Sequence, residues 1–140
     1  MIKDTLIYLS DDDQDDRELF TEALSQAHSN FKLVTTCNGY ELLQELQGND
    51  LPDVIFLDIN MPVKNGIETL KELRRQPRTA NLPIVMYSTS NDTQLIHTTK
   101  LLGANLYFIK PVEFNYLKDK LAEILTVIVS GKTPVGFLFN

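Results

Sequence analysis

The chain has 140 residues, a length that fits one domain, and 43% of them are hydrophobic, enough for a sizeable core. The net charge of −6 argues against sequence-independent binding to nucleic acid backbones. No apolar stretch approaches the ~20 residues that span a bilayer, and a single cysteine, Cys37, excludes an internal disulfide. Composition therefore predicts a soluble cytoplasmic protein, with neither nucleic acid nor membrane as a partner.

Five short segments rich in β-branched and aromatic residues have the composition of strands. In chain order they are Thr5–Leu9, Phe31–Thr36, Val54–Leu57, Ile84–Tyr87 and Leu106–Ile109. The third and fourth are unbroken apolar runs, which is the pattern of central strands covered on both faces.

Stretches with apolar residues at helical spacing alternate with these strands. Their predicted inner faces are Leu19, Phe20, Ala23, Leu24 and Ala27; Leu42, Leu43 and Leu46; Ile67, Leu70 and Leu73; Leu95, Ile96, Thr99 and Leu102; and Phe114, Leu117, Leu121, Ile124, Leu125 and Ile128. Such alternation favours a parallel sheet with right-handed crossovers. The predicted fold class is α/β, a single doubly wound five-stranded parallel sheet, whose binding crevice lies outside the carboxyl ends of the strands.

The domain is predicted to comprise residues 1–129, followed by an apolar tail at residues 130–140. The tail ends in Phe137, Leu138 and Phe139, and contiguous exposed apolar residues usually mark a contact. Three alternatives remain open: packing on its own domain, a homodimer or partner surface, and disorder.

Asp58 directly follows the third apolar strand, where a lone carboxylate is costly unless another charge offsets it. Each of its candidate neighbours also stands where a strand gives way to a loop: the acids Asp11 and Asp12, the hydroxyl of Ser88 and the ammonium of Lys110. The carboxyl ends of parallel strands meet at one edge, so these groups are predicted to converge on Asp58.

The first loop carries five carboxylates, at Asp11, Asp12, Asp13, Asp15 and Asp16. Two carboxylates ~4 Å apart repel each other by about 4 kcal/mol at an effective dielectric constant near 20, so convergence on Asp58 requires a cation. Hard oxygen ligands favour Mg²⁺. We predict Asp11 and Asp12 as metal ligands and the three later acids as a solvated start of the first helix.

Four motifs stand in a fixed order between residue 5 and about residue 125. They are Leu9-Ser10-Asp11-Asp12-Asp13, Val54-Ile55-Phe56-Leu57-Asp58-Ile59-Asn60-Met61-Pro62 with Gly66, Val85-Met86-Tyr87-Ser88-Thr89, and Tyr107-Phe108-Ile109-Lys110-Pro111. Together they resemble the receiver domain of two-component response regulators. The resemblance implies a flavodoxin-like fold with strand order 2-1-3-4-5 and a stand-alone receiver.

The resemblance also implies roles for the residues at the strand ends. Asp58 would be the nucleophile that accepts a phosphoryl group from a phosphohistidine of a sensor histidine kinase. Mg²⁺ would be held by Asp12 directly, by Asp11 directly or through water, by Asp58, and by the backbone carbonyl of Asn60. Lys110 would pair with Asp58 before transfer and with a phosphoryl oxygen afterwards.

The same resemblance assigns a switch to Ser88 and Tyr107. The hydroxyl of Ser88 would bind the new phosphoryl group, and Tyr107 would move from solvent into the space that opens. A plain interpretation of Tyr107 as an aromatic residue at a strand edge stays open. The family also implies a cis peptide bond between Lys110 and Pro111.

The implied partners are a histidine kinase, with a weak association to phytochrome-type kinases, and a downstream protein that the sequence does not name. The third helix and its exit are locally basic, at Lys71, Arg74, Arg75 and Arg78, and a solvated face is the default interpretation.

Three rival functions remain. An aspartyl-phosphate hydrolase normally needs an acid two residues after its nucleophile, where this chain has Asn60. A flavodoxin-like cofactor protein needs Ser, Thr and Gly in the first loop, where this chain has acids that repel phosphate. The third rival is a degenerate receiver that acts only as a protein-interaction module.

Overall fold

The computed structural model describes residues 4–48, 50–131 and 136–140. In the described residues, strands alternate with helices from the start of the chain. The elements are β1 (Thr5–Ser10), α1 (Gln14–Ala27), β2 (Phe31–Thr36), α2 (Gly39–Leu46), β3 (Val54–Leu57), α3 (Gly66–Arg75), β4 (Ile84–Ser88), α4 (Thr93–Leu101), β5 (Leu106–Ile109), α5 (Phe114–Val129) and β6 (Leu138–Phe139). The five predicted strands are present, and β1 and β4 each extend one residue further, to Ser10 and Ser88.

All strand pairs of the sheet are parallel, and the order is β2-β1-β3-β4-β5-β6. The predicted order 2-1-3-4-5 is confirmed, and a sixth strand that the sequence did not predict is added beside β5. The register places the last residues of neighbouring strands side by side: Ser10 pairs with Leu57, and Ser88 pairs with Ile109. The loops that follow β1, β3, β4 and β5 therefore leave the sheet at one edge.

Helices cover both faces of the sheet. One core cluster joins α1 and α5 to the sheet, and the second joins α2, α3 and α4 to the opposite face. Strands β3 and β4 are buried throughout, as their unbroken apolar sequence predicts. The prediction for Leu19 was wrong: this side chain is 41% exposed, because the buried face of α1 is narrower and centres on Phe20, Ala23 and Leu24.

The described part of the tail packs on its own domain. Strand β6 adds to the sheet beside β5, with Leu138 opposite Tyr107 and Phe139 opposite Phe108. The N–H of Tyr107 donates to the carbonyl of Phe137 at 2.9 Å. Phe137 and Phe139 are partly buried against the two core clusters. Residues 132–135 of the predicted tail lie outside the described residues.

Polar side chains fix where the helices begin. Asp13, Asn38, Asn65 and Asp92 each accept a hydrogen bond from a backbone N–H in the first turn of the helix that follows. At the start of α5 the same role falls to Glu113. These caps set where each helix starts relative to the strand end before it.

Arg74 corrects the interpretation of the third helix as a solvated basic face. Its guanidinium donates to the carbonyl of Gly103 and to the side-chain oxygen of Asn105, both at 2.9 Å, and to the carbonyl of Thr79 at 3.2 Å. Burial lowers the pKa of Arg74. Arg74 thus joins α3 to the segment between α4 and β5, because a partly buried guanidinium needs acceptors for its donors.

Within the described ranges, no helix combines the length and the apolar composition needed to cross a lipid bilayer.

Candidate functional site

The carboxyl edge of the sheet brings the predicted site residues together. Asp58 follows β3, and its backbone N–H donates to the carbonyl of Ser10 at 2.9 Å. Lys110 follows β5, and its N–H donates to the carbonyl of Ser88 at 2.8 Å. Asp11 directly follows β1. Backbone hydrogen bonds of the sheet therefore continue one residue beyond the strands and hold the functional side chains in place.

The ammonium of Lys110 lies among three carboxylates. Its Nζ donates to Oδ2 of Asp11 at 2.8 Å, of Asp16 at 2.9 Å and of Asp58 at 3.1 Å. The ring of Tyr87 covers another side, with its centroid 5.1 Å from Nζ. An ammonium has three N–H donors, so each donor has a carboxylate partner.

Asp58 is 6% exposed and held from two directions. Its Oδ1 accepts the N–H of Ile59 at 2.7 Å, which leaves Oδ2 toward Lys110. Behind it, a Cβ on Gly66 would lie 2.1 Å from the carbonyl oxygen of Asp58, so the start of α3 fits there only because residue 66 lacks a side chain.

The electrostatics of the site are set by burial and by the excess of carboxylates. Burial, with a contribution from Asp11, raises the pKa of Asp58 to about 6, although Lys110 opposes the shift. Burial alone would lower the pKa of Lys110. Hydrogen bonds to Asp11 and Asp16, and the charge of Asp58, outweigh burial and raise it above its ordinary value. Lys110 therefore stays protonated, whereas Asp58 changes charge slightly below neutral pH.

Asp11, Asp12 and Asp58 offer oxygen atoms that all lie within 4.8 Å of one another. Asp11 is fully buried and Asp12 is exposed, so the cluster opens to solvent on one side. Three carboxylate oxygens with water access are a donor set that suits Mg²⁺, which keeps several waters and takes few carboxylates. The residues therefore fit the predicted ion. The side chain of Asn60 is exposed at the same edge.

Ser88 ends β4 at the same edge of the sheet, and Ser88 and Tyr107 of β5 both bind the backbone of Ser90. Ser88 is 1% exposed, and its Oγ accepts the N–H of Ser90 at 3.2 Å. Tyr107 is fully buried, and its hydroxyl donates to the carbonyl of Ser90 at 2.9 Å. Strand β5 lies between β4 and β6, so Tyr107 is not on an edge strand. Its side chain is already buried, which differs from the starting position in solvent that the resemblance implies.

The peptide bond between Lys110 and Pro111 differs from the expectation. No peptide bond in the described segments is cis. An X–Pro bond favours the trans form intrinsically, and in the trans form Lys110 still reaches all three carboxylates.

Sequence comparison identifies the family. Residues 7–122 match the family described as the response regulator receiver domain. This chain belongs to that family. The receiver is also 33% identical, over 88 residues, to a chemotaxis protein CheY homolog of Campylobacter jejuni, an alignment that covers 63% of this chain and 68% of the homolog.

Solved structures resemble this receiver over nearly all of its length. The phosphorylated cyanobacterial phytochrome response regulator RcpA is 29% identical, with a TM-score of 0.85, and the match covers 95% of this chain and 99% of RcpA. The Mn²⁺-bound response regulator Rcp1 is 25% identical, with a TM-score of 0.77 and coverage of 87% and 92%.

One curated relative is much longer than the receiver. The protein-glutamate methylesterase/protein-glutamine glutaminase of Clostridium acetobutylicum is 35% identical over 123 residues, which are 84% of this chain and 34% of that protein. The chain therefore spans about a third of the length of this relative.

Two neighbours of Lys110 were missed by the sequence interpretation. Asp16 was predicted as a solvated residue at the start of α1, but its carboxylate contacts the ammonium. Tyr87 was treated only as part of a strand, but its ring faces the ammonium. For Asp16 a signal existed: a carboxylate in the first turn of a helix that starts beside a strand end can turn back toward that edge. For Tyr87, alternation along the strand indicates only which face the ring occupies.

Proposed function

We propose that this receiver accepts a phosphoryl group from a phosphohistidine of a sensor histidine kinase onto Asp58, in a Mg²⁺-dependent reaction. The observation that carries the proposal is the position of Asp58. Its Oδ2 lies 3.1 Å from the ammonium of Lys110, in a cluster of carboxylate oxygens from Asp11, Asp12 and Asp58 that span no more than 4.8 Å. A nucleophile, a cation for the phosphoryl oxygens and a set of metal ligands thus meet at one point.

The transfer exchanges one bond to phosphorus for another. A carboxylate oxygen of Asp58 attacks the phosphorus, the P–N bond to the histidine breaks, and the imidazole nitrogen keeps the electron pair. The product is an aspartyl phosphate, a mixed anhydride. Lys110 then moves its hydrogen bond from Asp58 to a phosphoryl oxygen, which needs little motion because Nζ already lies beside the reacting oxygen.

Asp11, Asp12 and Asp58 would hold Mg²⁺, with the backbone carbonyl of Asn60 as a further ligand. When bound, the ion offsets negative charge on the carboxylates and on the transferring phosphoryl group. Two relatives support this part, because response regulator Rcp1 has been solved in a Mn²⁺-bound form and RcpA in a phosphorylated form.

Ser88 and Tyr107 would transmit phosphorylation of Asp58 to the surface that a partner protein binds. In the structure Oγ of Ser88 accepts the N–H of Ser90, and phosphorylation would give the O–H of Ser88 a phosphoryl oxygen to which it can donate. Tyr107 is already hydrogen bonded to Ser90, so movement of this short loop acts directly on the Tyr107 ring. We infer a population shift between two packings of the loop before α4.

The proposed donor is a sensor histidine kinase, and the relation to RcpA favours one of the phytochrome type. In this proposal residues 1–129 form the receiver domain and residues 130–140 its tail, while the downstream protein and self-association are left to binding measurements. The free thiol of Cys37 is exposed, which suits a reducing cytoplasm.

Mg²⁺-dependent labelling tests the proposal directly. The purified protein is incubated with acetyl phosphate, with and without Mg²⁺, and the modified residue is found by mass spectrometry. We expect one phosphoryl group on Asp58 that requires Mg²⁺ and is absent from Asp58→Asn. Asp53→Asn is the matched control, since Asp53 lies at the other end of β3 and binds the N–H of Leu6.

Phosphotransfer from candidate histidine kinases, phytochrome-type kinases included, then tests the donor. We expect transfer to the wild type and to Asp53→Asn, and none to Asp58→Asn. Absence of label from every donor would support the rival function of a receiver that only binds proteins. Label on another residue would overturn the role of Asp58.

A further inference from the structure

The acid that distinguishes the surroundings of Lys110 is Asp16. Of its three carboxylate partners, Asp11 and Asp58 also belong to the cluster that fits a metal ion, and Asp16 does not. A divalent ion attracts oxygens of Asp11 and Asp58 more strongly than a single ammonium does. Asp16 is thus the carboxylate partner of Lys110 that is not also a candidate ligand of the metal ion.

Asp16 is positioned independently of the strand ends. It lies in the first turn of α1, and its N–H donates to Oδ1 of Asp13 at 3.0 Å. Further along the helix, Phe20 and Leu24 anchor α1 in the core. The Asp16 carboxylate therefore approaches the ammonium from the helix rather than from the strands.

The partial exposure of Asp16 is compatible with a lasting hydrogen bond to Lys110. Its side chain is 37% exposed, whereas that of Asp11 is fully buried. Water still reaches its carboxylate, so Asp16 carries a smaller desolvation cost than a buried side chain. Its oxygen nevertheless lies 2.9 Å from Nζ, within normal hydrogen-bond distance.

We propose that Asp16 is a positioning residue for Lys110, holding the ammonium beside Asp58 from the side of α1 while the metal ion engages the other carboxylates. The inference rests on the proposed phosphoryl transfer to Asp58. A hydrogen-bond acceptor at residue 16 is what the role requires. A negative charge there is not needed for the role, and it repels the incoming phosphoryl group.

Two substitutions separate an acceptor from a charge. Asp16→Asn keeps an oxygen that accepts from Lys110 and removes the charge, whereas Asp16→Ala removes both. Asp15→Ala is the matched control, because Asp15 is an exposed acid in the same turn of α1. Initial rates of Mg²⁺-dependent labelling by acetyl phosphate are measured for all four proteins, together with Mg²⁺ affinity by calorimetry.

We expect Asp16→Ala to lose roughly fivefold in labelling rate, the cost of one ordinary hydrogen bond, because the role requires an acceptor and not a charge. Asp16→Asn and Asp15→Ala are expected within about twofold of the wild type, because both leave an acceptor at residue 16. Equal acceleration by both Asp16 variants would show a pure charge effect and overturn the proposal. An Asp16→Ala rate equal to that of Asp15→Ala would also overturn it.

A spectroscopic measurement keeps the inference separate from the proposed function. Lysine ammonium groups held by hydrogen bonds exchange their protons slowly and give sharp ¹H–¹⁵N signals, and the Lys110 side chain is only 9% exposed. We expect this signal in the wild type and Asp16→Asn, broadened in Asp16→Ala. If the wild type takes no label, the proposed function fails. The Lys110 signal then tests by itself whether Asp16 holds the ammonium. An unchanged Lys110 signal in Asp16→Ala would overturn the positioning role of Asp16.

Discussion

At the scale of the residue, the site depends on one carboxyl group with competing neighbours. An acid 3.1 Å from an ammonium usually has a lowered pKa, yet burial raises that of Asp58 to about 6. The reason is that Asp58 loses nearly all contact with water and lies beside the charge of Asp11, and Lys110 offsets these effects only in part. The charged form of Asp58 is thus destabilised, and a bound metal ion or a bond to a phosphoryl group would remove this destabilisation.

The shift has a defined consequence for stability without metal. Between pH 3.8, the ordinary pKa, and about 6, the native protein binds more protons at Asp58 than the unfolded chain does. The contribution of this group to the free energy of unfolding therefore falls as pH rises through that window, and is constant above it. Asp58→Asn lacks the effect, so we expect its stability advantage over the wild type to grow between pH 4 and 6.5.

Urea unfolding in the presence of a chelator, at several pH values, measures this difference. The control is the same pair with saturating Mg²⁺, where the ion takes over the neutralising role for the wild type alone and the advantage of Asp58→Asn shrinks. A difference that declines as pH rises without metal would contradict the raised pKa.

At the scale of the element, β6 makes β5 an interior strand of the sheet instead of an edge strand. Without it, β5 would be an edge strand with unpaired backbone groups, which invites association with other chains. With it, the N–H of Tyr107 has a partner, and the ring of Phe139 reaches the core that joins α1 and α5 to the sheet. Lys120 of α5 lies over the same ring, 5.9 Å from its centroid.

Phe139 is therefore expected to hold the tail in place. Phe139→Ala should lower the free energy of unfolding by about 1–2 kcal/mol, less than the ~3–5 kcal/mol typical of a fully buried Phe, because Phe139 is only partly buried. Leu138→Ala is the matched control on the same strand, and at 43% exposure it should cost less than about 0.5 kcal/mol.

Chemical unfolding compares the three proteins, and size-exclusion chromatography reports association through a bare β5 edge. Equal costs for Phe139→Ala and Leu138→Ala would contradict the packing of β6. Self-association that appears only in Phe139→Ala would link the tail to the oligomeric state.

At the scale of the whole molecule, the parallel sheet assembles a concentrated negative site from distant parts of the chain. Asp11 and Asp58 are 47 positions apart and Asp11 and Lys110 are 99 apart, yet the sheet brings each to one edge. Because the unfolded chain has no such cluster, an ion that binds it stabilises the folded state by mass action.

We expect Mg²⁺ at one hundred times its dissociation constant to raise the free energy of unfolding by about 2.7 kcal/mol. The gain should disappear in Asp12→Asn and weaken below pH 6, where protons compete for Asp58. Thermal unfolding with increasing Mg²⁺ measures it, with Asp15→Asn as the control that keeps the gain. Equal stabilisation of Asp12→Asn and the wild type would place the ion elsewhere.

The sequence by itself determined the strands, the α/β class, the strand order through its family resemblance, and the convergence of Asp11, Asp12 and Lys110 on Asp58. These follow from local patterns, because apolar periodicity defines each element and parallel strands end at one edge. Only the tertiary structure decided three features: the contact of Asp16 with Lys110, the pairing of β6 beside Tyr107, and the hydrogen bond that joins Arg74 to Gly103. Each depends on the direction in which a helix or the tail meets the sheet, and that direction is set by packing between distant segments.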